Sequence, residues 1–410
     1  MKRYKDLSPS PRIIMTPGPV EADPRVLRAM SFPILGQFDP EFTELMNETM
    51  GMLRQLFATS NEWAFPVDGT SRSGIEAVLV SLIEPGDKVL VPIFGRFGHL
   101  LVEIARRCGA NVVTLETEWG TVFDVEEITA AIRLYRPKLV GIVHGETSTG
   151  RMQPLDGIGA VCREVDALLV VDAVATIGGT PVETDKWMID AVIGGTQKCL
   201  SVPSGSSPIT YNTRAEAKIL RRKRIEQGLL AAGQESGHDE LSAPIQSNYL
   251  DLSQLQDYWS SARLNHHTES TSMLYALREG LRVVLEEGLE ERYARHRAHE
   301  LALAAGLNAM GLKLFGDPSC KMPVVTCINI PEGIDGESVR SMLLQQFGIE
   351  IASSFGPLKG KIWRIGTMGY SCSKRNVLLT LGALEATLLK HGYSLPAGAA
   401  VQAAFDAYGV

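Results

Sequence analysis

A single lysine stands behind two glycines at the end of a short apolar run, Ala191-Val-Ile-Gly-Gly-Thr-Gln-Lys198. Ala191 to Ile193 reads as a buried strand, and the glycines let the backbone come close to something. A lysine at the mouth of such a strand is desolvated. Its pKa is depressed, and the amine is freed as a nucleophile for Schiff-base chemistry. A lone lysine in this setting is more often a strand-end charge reaching for water, so the chemistry rests on what accompanies it.

Asp172 lies 26 residues earlier and closes the run Leu168-Leu-Val-Val171. A carboxylate at the end of a buried strand needs a cationic partner. A protonated pyridine nitrogen is one, and the pairing makes the ring a stronger electron sink. The alternative is a cap or a structural ion pair. Thr70-Ser71-Arg72 places two hydroxyls and a guanidinium at the start of a helical pattern, where backbone N–H groups bind a dianion; a plain helix cap is the commoner use of a Thr-Ser pair. Phe97, between glycines at 95 and 98, is equally a ring-stacking side chain or a core aromatic. An amine, a carboxylate, a phosphate cradle and an aromatic fit one ligand, pyridoxal 5'-phosphate.

The elements that must bring these residues together show a strand–helix rhythm from about residue 60. Strands are expected over Trp63–Val67, Lys88–Ile93, Asn111–Leu115, Leu139–Val143, Ala167–Val171 and Ala191–Ile193. Ile75, Val78, Leu79, Leu82 and Ile83 share one helical face. The alternation predicts an α/β fold, a mostly parallel sheet with helices on both faces. Ligands in such sheets bind beyond the carboxyl ends of the strands. There Thr70 to Arg72, Phe97, Glu146, Thr147, Asp172 and Lys198 would converge. Residues 1–20 read as an extended arm, 21–289 as the large domain, 290–395 as a smaller α+β domain, and 396–410 as an alanine-rich tail that packs weakly.

The 410 residues are 45% hydrophobic and 21% charged, a globular composition. A net charge of -7 argues against a nucleic-acid footprint, and the basic run Arg221-Arg-Lys-Arg224 reads as a solvated helical face. Six scattered cysteines without a Cys-x-x-Cys pair fit a reducing compartment. No signal peptide or membrane span is expected, which makes the cytoplasm the expected location. No metal site is expected either. The adjacent His266 and His267 point apart, and no carboxylate–histidine spacing completes them. His144 reads as a satisfied strand-end histidine. Gly157-Ile-Gly-Ala-Val-Cys162 fails as a dinucleotide fingerprint. Arg364, alternating with Trp363 and Ile365, reads as an edge-strand charge or a carboxylate clamp.

Beyond these local readings, the chain resembles the fold-type I pyridoxal-phosphate enzymes of the alanine–glyoxylate aminotransferase group (class V). The resemblance runs from Thr16-Pro-Gly-Pro19 to the last helix. It rests on His144-Gly-Glu-Thr-Ser-Thr-Gly150, Val171-Asp-Ala-Val-Ala175, Gly195-Thr-Gln-Lys198, His266-His-Thr268 and Arg364-Ile-Gly366. It implies that Lys198 forms the Schiff base and shuttles a proton, and that Asp172 pairs with the ring nitrogen. It also implies that Thr70, Ser71, Arg72 and Gln197 hold the phosphate. Thr147 and Val174 would border the ring, and Arg364 would bind the substrate carboxylate. Thr268 would reach the cofactor of a partner subunit, making a homodimer with composite sites.

Three positions depart from the alanine enzymes. Phe97 replaces a frequent tryptophan, Asn265 replaces a tyrosine, and Gln37 follows Gly36. With Asp68-Gly-Thr-Ser-Arg-Ser-Gly74 and Ser353-Ser-Phe-Gly356, they resemble a branch of purine-ring breakdown. That likeness implies ureidoglycine as amino donor and glyoxylate as acceptor. Gln37 and Asn265, one from each subunit, would bracket the ureido group through their amides. The alternative is that Asn265 only substitutes for the phosphate-binding tyrosine. Competing readings are an alanine- or serine–glyoxylate aminotransferase, a cysteine desulfurase, and a non-enzymatic binding protein.

Overall fold

The computed structural model describes residues 4–230 and 242–409. The polar loop expected over Gly233–Asp239 lies outside the described residues. The chain opens with β1 (Ile13–Ile14), α1 (Pro24–Ala29) and α2 (Pro40–Leu56). Both helices start on an aspartate, Asp23 or Asp39, whose carboxylate accepts from a first-turn N–H, with proline at the first helical position. Then come β2 (Trp63–Gly69), α3 (Ser71–Leu82), β3 (Lys88–Ile93), α4 (Arg96–Arg107), β4 (Asn111–Glu116), α5 (Val125–Tyr135) and β5 (Leu139–Val143). A small hairpin, β6 (Gly145–Glu146) and β7 (Arg151–Met152), leads to α6 (Ile158–Glu164), β8 (Leu168–Asp172), β9 (Ala191–Ile193) and β10 (Gly205–Tyr211). Helices α7 (Thr213–Arg221), α8 (Leu252–Trp259) and α9 (Thr271–Glu287) complete this part.

Seven strands form the central sheet in the order β2-β10-β9-β8-β5-β3-β4. All are parallel except β10, which is antiparallel to both its neighbours. Two antiparallel steps restore the direction, so β2 runs with β9. The carboxyl ends of β2, β3, β5, β8 and β9 therefore share one edge of the sheet. Strand β10 was not anticipated; its interior carries Pro208, and proline is rare in central strands. The ladder tolerates it through a local substitution. Gly194 donates its N–H to Pro208 O at 2.7 Å, and Ser207 Oγ donates to Gly194 O at 3.1 Å, where a proline N–H is missing.

The remaining chain forms α10 (Leu289–Ala309), β11 (Val325–Asn329), α11 (Gly336–Phe347), β12 (Ile349–Glu350), β13 (Ala352–Ser353), β14 (Ile362–Gly366), α12 (Lys374–Lys390) and α13 (Ala399–Ala407). β14 is the middle strand of the three-stranded antiparallel sheet β11-β14-β13. Arg364 is thus on a central strand, not an edge. One apolar core fills the space around the large sheet, and a second gathers residues from α10 to α13. The N-terminal arm joins the second, since β1 pairs in parallel with β12 and Met15 is fully buried there. Two expectations are corrected. The tail packs firmly, with Ala400 and Ala404 of α13 fully buried, because a small-residue face lets two helices approach closely. Arg222 is not solvated: it is buried and donates to the carbonyls of Val80, Ser81, Ala243 and Pro244. Among the described residues no helix is long and apolar enough to cross a membrane.

Candidate active site

At the shared edge lies a cavity of about 210 Å3, lined by Thr70, Ser71, Arg72, Phe97, Thr147, Asp172, Val174, Gln197 and Lys198, with Ile75, Leu100, Gly145 and Ala175. Nine of the residues singled out from the sequence therefore meet in one place. Asp172 closes β8, and Lys198 lies in the turn that follows the adjacent strand β9.

Lys198 is 8% exposed, and its Nζ donates to the carbonyl oxygen of Pro17 in the N-terminal arm. Burial lowers its pKa to about 8, with help from the positive charge of Arg364. The arm is held in place by Val20 N–H donating to Gln197 O at 3.1 Å. Its part in the site went unread in the sequence; the Pro-Gly-Pro stretch was the available signal.

Asp172 is 5% exposed, and Oδ1 accepts from Val174 N–H at 3.0 Å. Burial pushes the carboxyl up to about 6. At the other side of the cavity α3 begins, with Thr70 as its extended N-cap residue. The Thr70 side chain makes no capping bond, so the hydroxyl is not consumed by the helix. Ser71 Oγ lies 2.8 Å from Gln197 Oε1, to which it donates. Gly195 admits this approach: a Cβ there would sit 2.5 Å from Ser71 Oγ and 2.7 Å from Val174 Cγ1.

Phe97 is half-buried in the first turn of α4, and its N–H donates to Glu146 Oε2 at 2.8 Å. Glu146, fully buried, also accepts from Ser148 N–H at 3.0 Å and Ser148 Oγ at 2.6 Å. Burial raises its pKa. This carboxylate ties the helix bearing Phe97 to the loop bearing Thr147. Arg364 does not line the cavity itself. It is 5% exposed, donates through Nε to Ser353 O at 2.7 Å and through Nη1 to Thr147 O at 2.9 Å, and lies 4.7 Å from the centre of the Phe355 ring. Burial lowers its pKa to about 10.

Three further predicted residues, besides Arg364, stay outside this cavity within one chain. Thr268 is exposed. Gln37 Nε2 donates to Asn265 Oδ1 at 3.3 Å. The two amides are therefore neighbours in the same chain. His144 is structural as expected: Nδ1 lies 2.9 Å from Thr176 Oγ1, and burial lowers its pKa to about 4.

The donor set fits pyridoxal phosphate. A buried amine and a buried carboxylate with no cationic hydrogen-bond partner share one cavity with a helix N-terminus carrying spare hydroxyls and a guanidinium.

The class-V aminotransferase family model matches residues 34–223. The chain is 67% identical over its full length to the (S)-ureidoglycine–glyoxylate transaminase of Bacillus subtilis (strain 168), covering 98% of that protein. The crystal structure of ureidoglycine–glyoxylate aminotransferase from Bacillus subtilis superposes with a TM-score of 0.93, covering 99% of this chain and 100% of that one at 66% identity. Alanine–glyoxylate aminotransferase from Nostoc sp. is more distant, at 38% identity and a TM-score of 0.88 over 94% of this chain and 98% of that one. The cofactor is pyridoxal 5'-phosphate, and the chain belongs to the class-V aminotransferases, of fold type I.

Proposed function

We propose that this enzyme moves the amino group of (S)-ureidoglycine to glyoxylate, giving oxalurate and glycine, a step of purine catabolism. One observation carries the chemistry: Asp172, at the end of β8, and Lys198, in the turn after the adjacent β9, share a single buried cavity that closes on the N-terminus of α3. The choice of donor is supported by the 67% identity to a transaminase named for these substrates.

Bound in the cavity, pyridoxal phosphate supplies an aldehyde carbon that condenses with primary amines and a cationic ring that accepts electrons from the substrate α-carbon. Thr70, Ser71, Arg72 and Gln197 would hold its phosphate, and Asp172 would keep the proton on its ring nitrogen. Phe97 and Val174 would confine the ring, with Thr147 beside it. Lys198 Nζ, with a pKa of about 8, loses its proton readily near neutrality. That suits an amine that takes a proton from the substrate α-carbon and returns it. Arg364 spends two N–H groups on main-chain carbonyls, which fixes the guanidinium plane and leaves its remaining donors for the substrate carboxylate.

The reading includes a homodimer with composite sites, supported by the exposed Thr268 and the Gln37–Asn265 pair lying outside their own chain's cavity. It also includes a cytoplasmic location, supported by six free cysteines. The test is a panel of amino donors (ureidoglycine, alanine, serine) offered with glyoxylate to purified holoenzyme. Ureidoglycine should lead in kcat/KM by about 10²-fold. Equal or better turnover of alanine or serine would overturn the donor assignment.

A further inference from the structure

Three Lewis-basic atoms converge away from the cavity. Asp68 lies near the end of β2, and His267 and Glu269 lie in the segment before α9. His267 Nε2 is 3.6 Å from Asp68 Oδ2 and 3.6 Å from Glu269 Oε2, and all three ligand atoms fall within 4.8 Å of one another. The Glu269 side chain is 3% exposed and that of His267 8%. Neither His267 Nε2 nor Glu269 Oε2 has a hydrogen-bond partner. Among the described residues no lysine or arginine lies within ion-pair distance of either carboxylate; the Ser270 N–H is the donor near both.

The hydrogen-bond chain fixes which His267 nitrogen carries the proton. His266 Nε2 lies 3.3 Å from the carbonyl oxygen of Asn248, which can only accept, so that nitrogen carries hydrogen. In a neutral imidazole only one ring nitrogen carries hydrogen. His266 Nδ1 is then an acceptor. The 2.8 Å contact between the two Nδ1 atoms makes His267 Nδ1 the donor. His267 Nε2 is left with a lone pair facing two carboxylates.

Two clustered buried carboxylates need a cation, or a proton shared between them, to relieve their repulsion. A proton shared between His267 and either carboxylate would draw the atoms to roughly 2.5–2.9 Å, closer than its 3.6 Å separations, whereas Asp68 and Glu269 are within hydrogen-bond reach of one another. Two ligands on one zinc, each about 2.0–2.2 Å from it at a tetrahedral angle, sit about 3.4 Å apart. One imidazole with two carboxylates suits a transition-type divalent ion better than calcium or magnesium. His266 would act on the metal through His267, orienting the liganding ring by accepting its Nδ1–H. The rings of Tyr249 and Tyr258, with centres 5.7 and 4.7 Å from that of His267, wall the cluster in.

We propose that Asp68, His267 and Glu269 bind a zinc-type divalent metal ion, with water completing its coordination. The expectation that His266 and His267 point apart, which argued against a metal site, is corrected by the 2.8 Å contact of their Nδ1 atoms. Only His267 is used here, and the missing carboxylate arrives from β2, some two hundred positions earlier in the chain. The ion would clamp the strand end leading into Thr70–Arg72 to the segment bearing Thr268, and the proposal does not depend on which amino donor the enzyme takes.

The test uses cofactor-loaded enzyme stripped with chelator, equilibrated with zinc, desalted and assayed for bound metal by mass spectrometry. Wild type should retain stoichiometric zinc, and its thermal midpoint should rise with zinc. Asp68→Asn and Glu269→Gln should lose both effects. Zinc-edge X-ray absorption on the wild type, which needs no variant to fold, should show nitrogen and oxygen donors. Folded wild type that retains no zinc, retention unchanged in both variants, or a sulfur donor would each overturn the site.

Discussion

Lys198 Nζ donates its hydrogen bond to the carbonyl oxygen of Pro17, 181 residues earlier in the chain. The arm therefore closes over the one amine in the cavity, and the same arm pairs through β1 with β12 and accepts at Met15 O from the N–H of Gly366 in β14 at 2.8 Å. Large sheet, small sheet and amine are linked through a few residues of extended backbone. Movement of the smaller sheet relative to the larger one would be felt at Lys198.

Gly18 is the tightest point of that link. Its φ is +92°, and a Cβ there would overlap Cδ, Cε and Nζ of Lys198. Gly18→Ala adds about 1–2 kcal/mol of backbone strain and displaces either the arm or the amine. Misplacement of a reacting group by about 1 Å costs on the order of 10²-fold in rate. The variant should fold, as judged by circular dichroism, yet show kcat reduced by about that factor. A wild-type kcat would remove the arm from the active site.

Lys198→Ala should lower turnover by at least about 10³-fold, since no other amine lines the cavity to exchange protons with the substrate. Noncovalent cofactor binding should survive through the phosphate contacts, but release on dialysis should be faster. Near-normal transamination by this variant would remove Lys198 from its role.

Asp172 makes a prediction about stability and pH. Burial raises its carboxyl from 3.8 to about 6, so the cofactor-free folded protein holds a proton that the unfolded chain has released. The group's stabilising contribution is fully present below about pH 4 and is lost as pH rises through about 6, by on the order of 3 kcal/mol at most. Asp172→Asn has no charge to bury. Urea unfolding of the two cofactor-free proteins should converge in acid and favour the variant near neutrality. Adding pyridoxal phosphate should reverse that order, because the ring nitrogen would give the carboxylate its cation. A wild type as stable as the variant near neutrality without cofactor would show that the carboxylate is not strained there.

The parallel strands and their glycine-marked ends were legible because fully buried strands read as apolar runs and must end in polar turns. That sufficed to bring nine residues to one cavity. What escaped depended on tertiary neighbours. Strand β10 carries Pro208 in its interior, and the bond from Ser207 Oγ to Gly194 O that makes room for it is a tertiary contact. Arg222 looked solvated because four accepting carbonyls from distant segments do not show in a local charge pattern. The alanine-rich tail gave no strong periodicity, although its small side chains are what let α13 pack closely. The Asp68–His267–Glu269 cluster joins segments far apart in sequence, and no local spacing encodes it.

Donor choice tests the Gln37–Asn265 pair. Gln37 Nε2 donates to Asn265 Oδ1 at 3.3 Å, while Gln37 Oε1 is buried without a partner. The pair thus offers a free acceptor on Gln37 and amide donors on Asn265, the complement of a ureido group with its N–H donors and single carbonyl. Both come from one subunit beside the exposed Thr268, so in the proposed dimer they would serve the partner's cavity together. Alanine has no ureido group and would leave these groups unmatched, at about 1–3 kcal/mol for each one that stays dry. Asn265→Tyr removes the amide donors and the acceptor that holds Gln37. Steady-state kinetics with glyoxylate should show kcat/KM for ureidoglycine falling by roughly 10–100-fold, while that for alanine holds or rises. An equal loss on both donors, accompanied by weaker cofactor retention, would instead make Asn265 a phosphate ligand and leave donor selection to other residues.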